Sequence, residues 1–428
     1  MRLDSLLQYI KTSLLDTLYI WGREMRTSVK DEGVLIFCIL VPLLYPLIYS
    51  WVYNNEVVRE VPVAVIDHAH SATSRRFIRS LNAGPNVRVA YHCNTLDEAR
   101  ELTGRQQIYG TIYFPEDFDR RLFRGEQAVV SVYADMSLML TYKAVYQTVL
   151  DVATLMNTRI QVSRSHTYTD NDAKTAVQPL DIRDVPLFNV SGGYGNAVIP
   201  GILMLILQQT LLLGIGLSAG TARENNRFQE LIPISKHYNG IYRIIFGKAL
   251  WYFMLYAVMG SYLALVIPHI YGFDSFVTPA SLTALLLPYI LSCIFFGMML
   301  SCIVRYRENV MLLVVFTSVP FIFLSGLSWP QSNMPGVWQA VAWLIPSTFG
   351  VRGFLRISSM GASPGDIQTE VLVLWLQTLV YFLGTYLVYR FQFYITRKRA
   401  TTHLHHLQDI TRSAKAQQRS TPVPPLHA

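Results

Sequence analysis

Six stretches of the chain carry no Asp, Glu, Lys or Arg: 33–55, 185–222, 249–273, 275–304, 309–351 and 371–389. Crossing ~30 Å of hydrocarbon takes about 20 helical residues, and a helix satisfies its own backbone polar groups, as that layer demands. Each stretch suffices for one crossing. The 309–351 stretch exceeds one, and Trp329-Pro330 with Met334-Pro335 divides it, so a span ends near Ser328 and the remainder does not cross. A seventh crossing at 335–351 would have about 17 residues broken by Gly and Pro, too few to span. With 51% hydrophobic and 15% charged residues, the chain is too apolar for an ordinary soluble enzyme of 428 residues.

The first thirty residues differ in pattern. Leu3, Leu6, Leu7, Ile10, Leu14, Leu15 and Leu18 recur at helical spacing among charges, which predicts an amphipathic helix lying on the membrane face rather than a cleaved signal. Of four cysteines, Cys38, Cys293 and Cys302 lie in apolar stretches and Cys93 stands alone in a polar region, so neither a disulfide framework nor a zinc pair is available.

Charge position sets orientation. The polar segment from about 55 to 190 holds 15 basic and 16 acidic residues, which leaves 21 basic and 12 acidic elsewhere. Of those 21, Arg2, Lys11, Arg23, Arg26 and Lys30 precede the first span; Arg223, Arg227, Lys236, Arg243 and Lys248 lie between the second and third. Arg305 and Arg307 lie between the fourth and fifth, and seven follow from Arg390. The opposite short loops hold only Arg352 and Arg356. Nineteen against two places both termini in the cytoplasm and segment 55–190 outside. A nucleic-acid partner is not indicated, because the surplus follows the membrane rule instead of forming a patch.

Segment 55–190 reads as mixed α/β. VPVAVID (61–67), NVRVAYH (86–92), IYGTIYFP (108–115) and AVVSVYAD (128–135) have strand patterns. Helical stretches run through Arg75, Phe77, Ile78 and Leu81, over 94–103, from the Pro-acidic start of PEDFDRRLF, and over about 138–163. The expected fold is thus a polytopic α-helical membrane protein with six transmembrane helices and an α/β extracytoplasmic domain inserted between the first two. Its parts are an elbow helix (1–32), the first span (33–54), the external domain (55–190) and spans two to six (191–396). Within the last lie a cytoplasmic coupling loop (219–248) and an external re-entrant segment (329–369). The tail 397–428 is basic, then Ser-, Gln- and Pro-rich, and disorder is the expectation there.

No nucleotide site is recognisable. Between Gly240 and Gly247-Lys248 stand six residues where a phosphate loop needs four, and Ala249 replaces the Mg-binding hydroxyl. His403, His405 and His406 lack companions for a metal site, and no nucleophile elbow or HExxH occurs. His269 sits at an external membrane boundary. The charge-free spans argue against an ion-coupled carrier. Gln208 and Gln209 are the most polar intramembrane pair, either gluing helices together or lining a pathway, and Gly216-x-x-x-Gly220 allows close helix approach.

Four stretches together resemble the type-2 ABC transporter permease family over nearly the whole chain. They are Gly22-Arg23-Glu24-Met25-Arg26 with Pro42 in the following span; VPVAVIDHAHSATSRRFIRSL with IYGTIYFPEDFDRRLFRGE; Arg223-Glu224, Glu230-Leu231 and Gly247-Lys248; and FIFLSGLSWPQSNMPGVWQAVAWLIPSTFGVRGFLRI, the most specific. Arg227-Phe228 stands where the family often has Gly-Thr.

The resemblance implies a non-enzymatic permease subunit of an exporter, paired with a second copy or paralogue and driven by a separate ABC ATPase that binds ATP and Mg. This chain itself binds no cofactor. Arg23, Glu24, Arg26, Arg223, Glu224, Arg227 and Glu230 become candidates for contact with that ATPase, or else for an ordinary solvated loop. Trp329, Pro330, Met334 and Pro335 become candidates for shaping an external gate, beside Gln208 and Gln209 in the pathway. The setting implied is a bacterial inner membrane, where a periplasmic adaptor and outer-membrane channel could complete the route. The cargo expected from the aromatic and aliphatic spans is hydrophobic or amphipathic. The rival readings are a receptor or signalling anchor whose external domain binds a ligand, and an ion-coupled carrier.

Overall fold

The computed structural model describes residues 3–54, 57–164, 188–189, 192–224, 240–301, 304 and 306–420, with the backbone alone for 3–7, 9, 161–164 and 395–420. The chain divides into two compact units, one of residues 1–54 with 188–428 and one of 55–187.

Among the described residues of the first unit six helices are long and apolar enough to cross a membrane: Glu32–Val52, Tyr194–Glu224, Ile241–Tyr271, Pro279–Ser301, Arg307–Leu324 and Gln368–Tyr394. They are called spans one to six below. Each contains one of the charge-free stretches in whole or in part. Span one widens to π geometry over Ile36–Leu40 and span three over Tyr262–Val266. Pro42 and Pro268 follow these turns, and a proline ring clashes with the carbonyl four residues back, which accounts for the local loosening.

Span two is the hub, with 78% of its most apolar window buried, against 17% for span five and 28% for spans one and six. The less buried helices present their side chains outward, as lipid-facing helices must. Close packing is set by small residues. A Cβ on Gly216 would lie 2.4 Å from Val310, and one on Gly220 would lie 3.1 Å from the Arg307 backbone, so the Gly216-x-x-x-Gly220 pair is the seat of span five. Hydroxyls complete the seams: Tyr262 and Tyr271 of span three donate to the Leu43 and Leu47 carbonyls of span one (3.0 and 2.7 Å), and Thr385 of span six donates to Phe295 of span four (3.0 Å).

Between spans five and six the chain forms a 3-10 turn (Gln331–Asn333) and two helices, Gly336–Ala342 and Pro346–Met360. The second packs Phe349, Val351, Phe354 and Ile357 into the bundle core and ends at Gly361, whose φ of +64° suits a glycine.

Two sequence expectations are revised. Spans two and three continue into the expected coupling loop 219–248, leaving 225–239, with Arg227 and Glu230, outside the described residues. The last helix is continuous from Gln368 to Ser420, where disorder is expected from 397. No Gly or Pro interrupts it between Gly384 and Pro422, so nothing in the backbone chemistry forces an earlier end.

The second unit is a four-stranded sheet of order β2-β1-β3-β4, comprising β1 (Val61–Asp67), β2 (Val87–His92), β3 (Gly110–Phe114) and β4 (Ser131–Ala134). β1 is parallel to β2 and β3, and β4 is antiparallel to β3. Helices Ala72–Asn82 and Met139–Arg164 cover one face through Phe77, Leu81, Val145 and Val149, and Leu96–Gly104 covers the other through Ala99. A central parallel strand so covered is apolar on both faces, as VPVAVID is. Asp67 ends β1 by accepting from the His70 N–H (3.1 Å) and from the Ser74 hydroxyl (2.7 Å), while Ser71 and Ser74 cap the following helix reciprocally.

Gly350 tests the bundle packing. Its Cβ would fall 2.3 Å from the Tyr289 ring, which is buried and held by its hydroxyl on the Met204 carbonyl (2.6 Å). Gly350→Ala is expected to cost about 1–3 kcal/mol in thermal unfolding of the detergent-solubilised protein. Gly336→Ala, where a Cβ meets nothing within 4 Å, is expected to be near neutral.

Candidate functional site

The N-terminal helix, Leu3–Lys30, turns the wrong side inward for simple hydrophobic packing. Asp16, Ile20, Glu24 and Ser28, spaced by four, are buried, whereas Ile10, Leu14, Leu15 and Leu18 are 45–60% exposed. The buried face runs along span three, where the Gly247 backbone lies against Ile20 and Thr17. A carboxylate can be buried there because a cation meets it.

Three such meetings form a polar seam. Asp16 Oδ2 pairs with Arg243 Nη1 at 2.5 Å. Glu24 pairs with Lys248 Nζ at 3.3 Å, both about 10% exposed, and its other oxygen accepts from Ser218 of span two (2.9 Å) and Tyr252 of span three (3.4 Å). Asp31 caps span one through the Gly33 and Val34 N–H groups (3.0 and 3.3 Å), pairs with Arg307 Nη2 of span five (2.6 Å) and accepts from Thr221 of span two (2.5 Å). One acidic side chain thus ties three spans at one level. Burial pushes the Asp31 carboxyl up, but the Thr221 hydroxyl, the Val34 N–H and the Arg307 charge outweigh it and hold the group below its ordinary value of 3.8.

The predicted coupling residues therefore separate. Glu24 and Arg223 are 8% and 5% exposed and are spent on the chain itself, Arg223 donating to the Val304 carbonyl. Arg23, Arg26 and Glu224 are exposed. Glu24 and Arg223 thus have internal partners within the bundle. The expectation that the spans hold no ionisable residue is also revised, since Arg243 and Lys248 lie inside the helix of span three and Glu370, 1% exposed, in span six. The charge-free windows missed them because each charge sits within two turns of a helix end and has its partner on another helix. Asp16 and Glu24 lie two turns apart on one helical face, a signal visible in the sequence once acids are tracked as well as bases.

The second cluster holds the turn after span five. Gln331 donates to the Leu324 carbonyl (3.2 Å) and accepts from Arg352 (2.9 Å), while Gln339 donates to the Gln331 and Met334 carbonyls (3.1 and 2.9 Å). Pro330 and Pro335 occupy the N-caps of the 3-10 turn and of helix Gly336–Ala342, where no backbone donor is needed, and Trp329 is 54% exposed. Gln377 of span six donates to the Trp343 carbonyl (2.7 Å) and Tyr381 to that of Leu344. Glu370 receives Arg356 on both oxygens (3.1 and 3.2 Å) and lies 3.6 Å from Arg352. One buried carboxylate thus faces two arginines, and the trio keeps a net positive charge. Gln331, Gln339 and Glu370 escaped the sequence reading because isolated amides and acids have no motif.

Gln208 is fully buried and accepts a weak bond from the Cys293 thiol of span four (3.6 Å). Its amide nitrogen and both polar atoms of Gln209 have no hydrogen-bond partner among the described residues. No group of His, Cys, Asp and Glu among those residues could hold a metal.

The arrangement of six spans with a sheet unit between the first two coincides with a family match. A family model described as ABC-2 family transporter protein fits residues 33–387. The chain belongs to this ABC-2 family. It is accordingly a multi-pass membrane transport subunit, of a family that generally works with an ABC ATPase. No curated protein matches it. The family match begins at Gly33, so the N-terminal helix that supplies Asp16 and Glu24, and the Asp31 cap that follows it, lie ahead of it.

Two substitutions test the seam of this ABC-2 chain. Glu24→Gln leaves the Lys248 ammonium buried without its counter-charge, a loss of about 3–5 kcal/mol, and Glu24→Leu with Lys248→Met is expected to restore most of it in a double-mutant cycle read by thermal unfolding. Asp31, with its depressed ionisation, stabilises the fold fully above 3.8, and this contribution is lost as pH falls through the lower folded-state value. The stability gap between the native chain and Asp31→Asn is therefore expected to be constant from about pH 5 upward and to close on acidification.

Proposed function

We propose that the chain is the permease subunit of an ATP-driven exporter in a bacterial inner membrane, moving a hydrophobic or amphipathic substrate outward. A separate ABC ATPase binds and hydrolyses MgATP. Two permease copies, or one and a paralogue, complete the pathway with both termini cytoplasmic and residues 55–187 outside; a periplasmic adaptor and an outer-membrane channel fit the same plan. The observation that carries the reading is the polar seam within an ABC-2 chain that has no phosphate loop of its own.

The seam supplies a physical route for coupling. The ATPase docks on the cytoplasmic segment between spans two and three, where Glu224, Arg227 and Glu230 lie, and against Arg23 of the N-terminal helix. Because Asp16 and Glu24 fasten that helix to spans two and three, and Asp31 at its junction with span one binds spans two and five, a displacement of the helix moves these spans together, and buried ion pairs resist being pulled apart. ATP-dependent closure of the ATPases thus shifts the bundle between two packings. At the far end, Trp329, Pro330, Met334 and Pro335 shape the turn held by Gln331 and Gln339, which serves as the outer gate, and Gln208 and Gln209 face the pathway.

A receptor reading draws on one observation, an apolar cavity of about 250 Å³ in the sheet unit between Phe77, Phe118, Val149 and Met156. Co-purification separates the two. The tagged chain is expected to bring down an ABC ATPase whose hydrolysis rises on reconstitution in lipid, with export that survives collapse of ion gradients and stops with an ATPase-dead partner. Lys248→Met with Glu24→Leu is expected to retain the ATPase while lowering its stimulation by at least about tenfold, the effect of one lost coupling contact of ordinary size. Capture of no ATPase, with ligand binding by the sheet unit, would replace the exporter with the receptor.

A further inference from the structure

Beside the Asp31 node lies an open cleft of about 590 Å³, lined by Arg23, Arg26, Lys30 and Arg307 with Thr221, Thr27, Asp31 and Glu32. Four cations face two carboxylates, and Asp31 is already engaged by Arg307 and Thr221. Arg26 and Lys30 are exposed and have no ion-pair partner among the described residues. The cleft therefore carries uncompensated positive charge.

Its depth decides what anion it suits. Lys30 stands two residues before span one, and Arg307 is the first residue of span five, so both lie where hydrocarbon gives way to headgroups. The same stretch exposes Val29 (50%), Leu35 (36%) and Ile36 (41%), and the helix that carries Arg26 exposes Leu14, Leu15 and Leu18 along its outer side. A ligand that answers both the charge and the neighbouring apolar surface has an anionic head and hydrocarbon tails. An acidic protein segment or free phosphate answers only the charge.

We propose that this cleft binds the phosphate of an anionic phospholipid, held by Arg26 and Lys30 over the Arg307–Asp31 pair, with its chains against Val29, Leu35 and Ile36. The bound lipid joins the N-terminal helix to spans one and five from outside, as the polar seam does from inside. This rests on the membrane-spanning character of the chain and not on the exporter reading.

The test is native mass spectrometry of the full-length chain in detergent, titrated with dioleoyl phosphatidylglycerol or dioleoyl phosphatidylcholine. The native chain is expected to prefer the anionic lipid, and R26Q/K30Q to lower its affinity roughly 25-fold, about fivefold for each charge, without changing that for phosphatidylcholine. R120Q/R124Q, which removes two exposed charges from the sheet unit, is expected to leave both affinities unaltered. The single variants R26Q and K30Q give intermediate losses and serve if the double variant does not yield a monodisperse protein. Equal affinity for the two lipids, or an unchanged preference in the variants, overturns the proposal. Displacement of the lipid by millimolar inorganic phosphate assigns the cleft to the free anion instead. Intact lipid preference with lost ATPase capture assigns Arg26 and Lys30 to the protein partner.

Discussion

Burial of two carboxylates on the inner face of the N-terminal helix, and of a third at the N-cap of span one just after it, is the constraint from which the rest of the bundle's organisation follows. A carboxylate out of water must find a cation or lose its charge, and here two find theirs on span three, Arg243 and Lys248, and the third on span five, Arg307. The helix is thereby fixed in register along span three as well as against spans two and five. Apolar packing alone would tolerate sliding by a turn, because one leucine resembles the next. A pairing of charges does not, since displacement by one turn would leave several ions buried alone.

The same economy recurs at the start of span six, where the buried Glu370 pairs with Arg356 and lies within reach of Arg352. Arg352 also donates to Gln331, so the charge cluster and the turn after span five are one network. The two ends differ in kind. Near the N-terminal helix the polar contacts join helices that run the length of the bundle, whereas beyond span five they tie down short elements, the 3-10 turn and helix Gly336–Ala342, whose few residues could not hold themselves in place by hydrophobic burial. The first arrangement suits transmission of a movement, and the second suits a local change of shape.

Much of this was legible in the residues. The spans lie on the charge-free windows because the hydrocarbon layer enforces length and polarity together, and the strands lie on the alternating segments because a pleated sheet repeats every two residues. The prolines at 330, 335 and 346 stand at the starts of the 3-10 turn and of the two helices that follow span five, where no backbone donor is needed. Less was legible at the site. Glu24 and Arg223 stood among charges on the expected cytoplasmic side and looked available to a partner, but a charge's availability depends on which face of its helix is covered. That is a property of neighbours far away in the chain, Lys248 and Ser218 for Glu24 and Val304 for Arg223.

By itself the sequence determined where six segments long and apolar enough to cross a membrane lie, because length and polarity are properties of local composition. Only the tertiary structure decided that the N-terminal helix presents Asp16 and Glu24 inward and Leu14, Leu15 and Leu18 outward, that Gly216 and Gly220 receive span five, and that Glu370 serves two arginines. Each of these depends on a pairing between residues tens to hundreds of positions apart, and the energy of such a pair exists only when the fold has brought both partners out of water together.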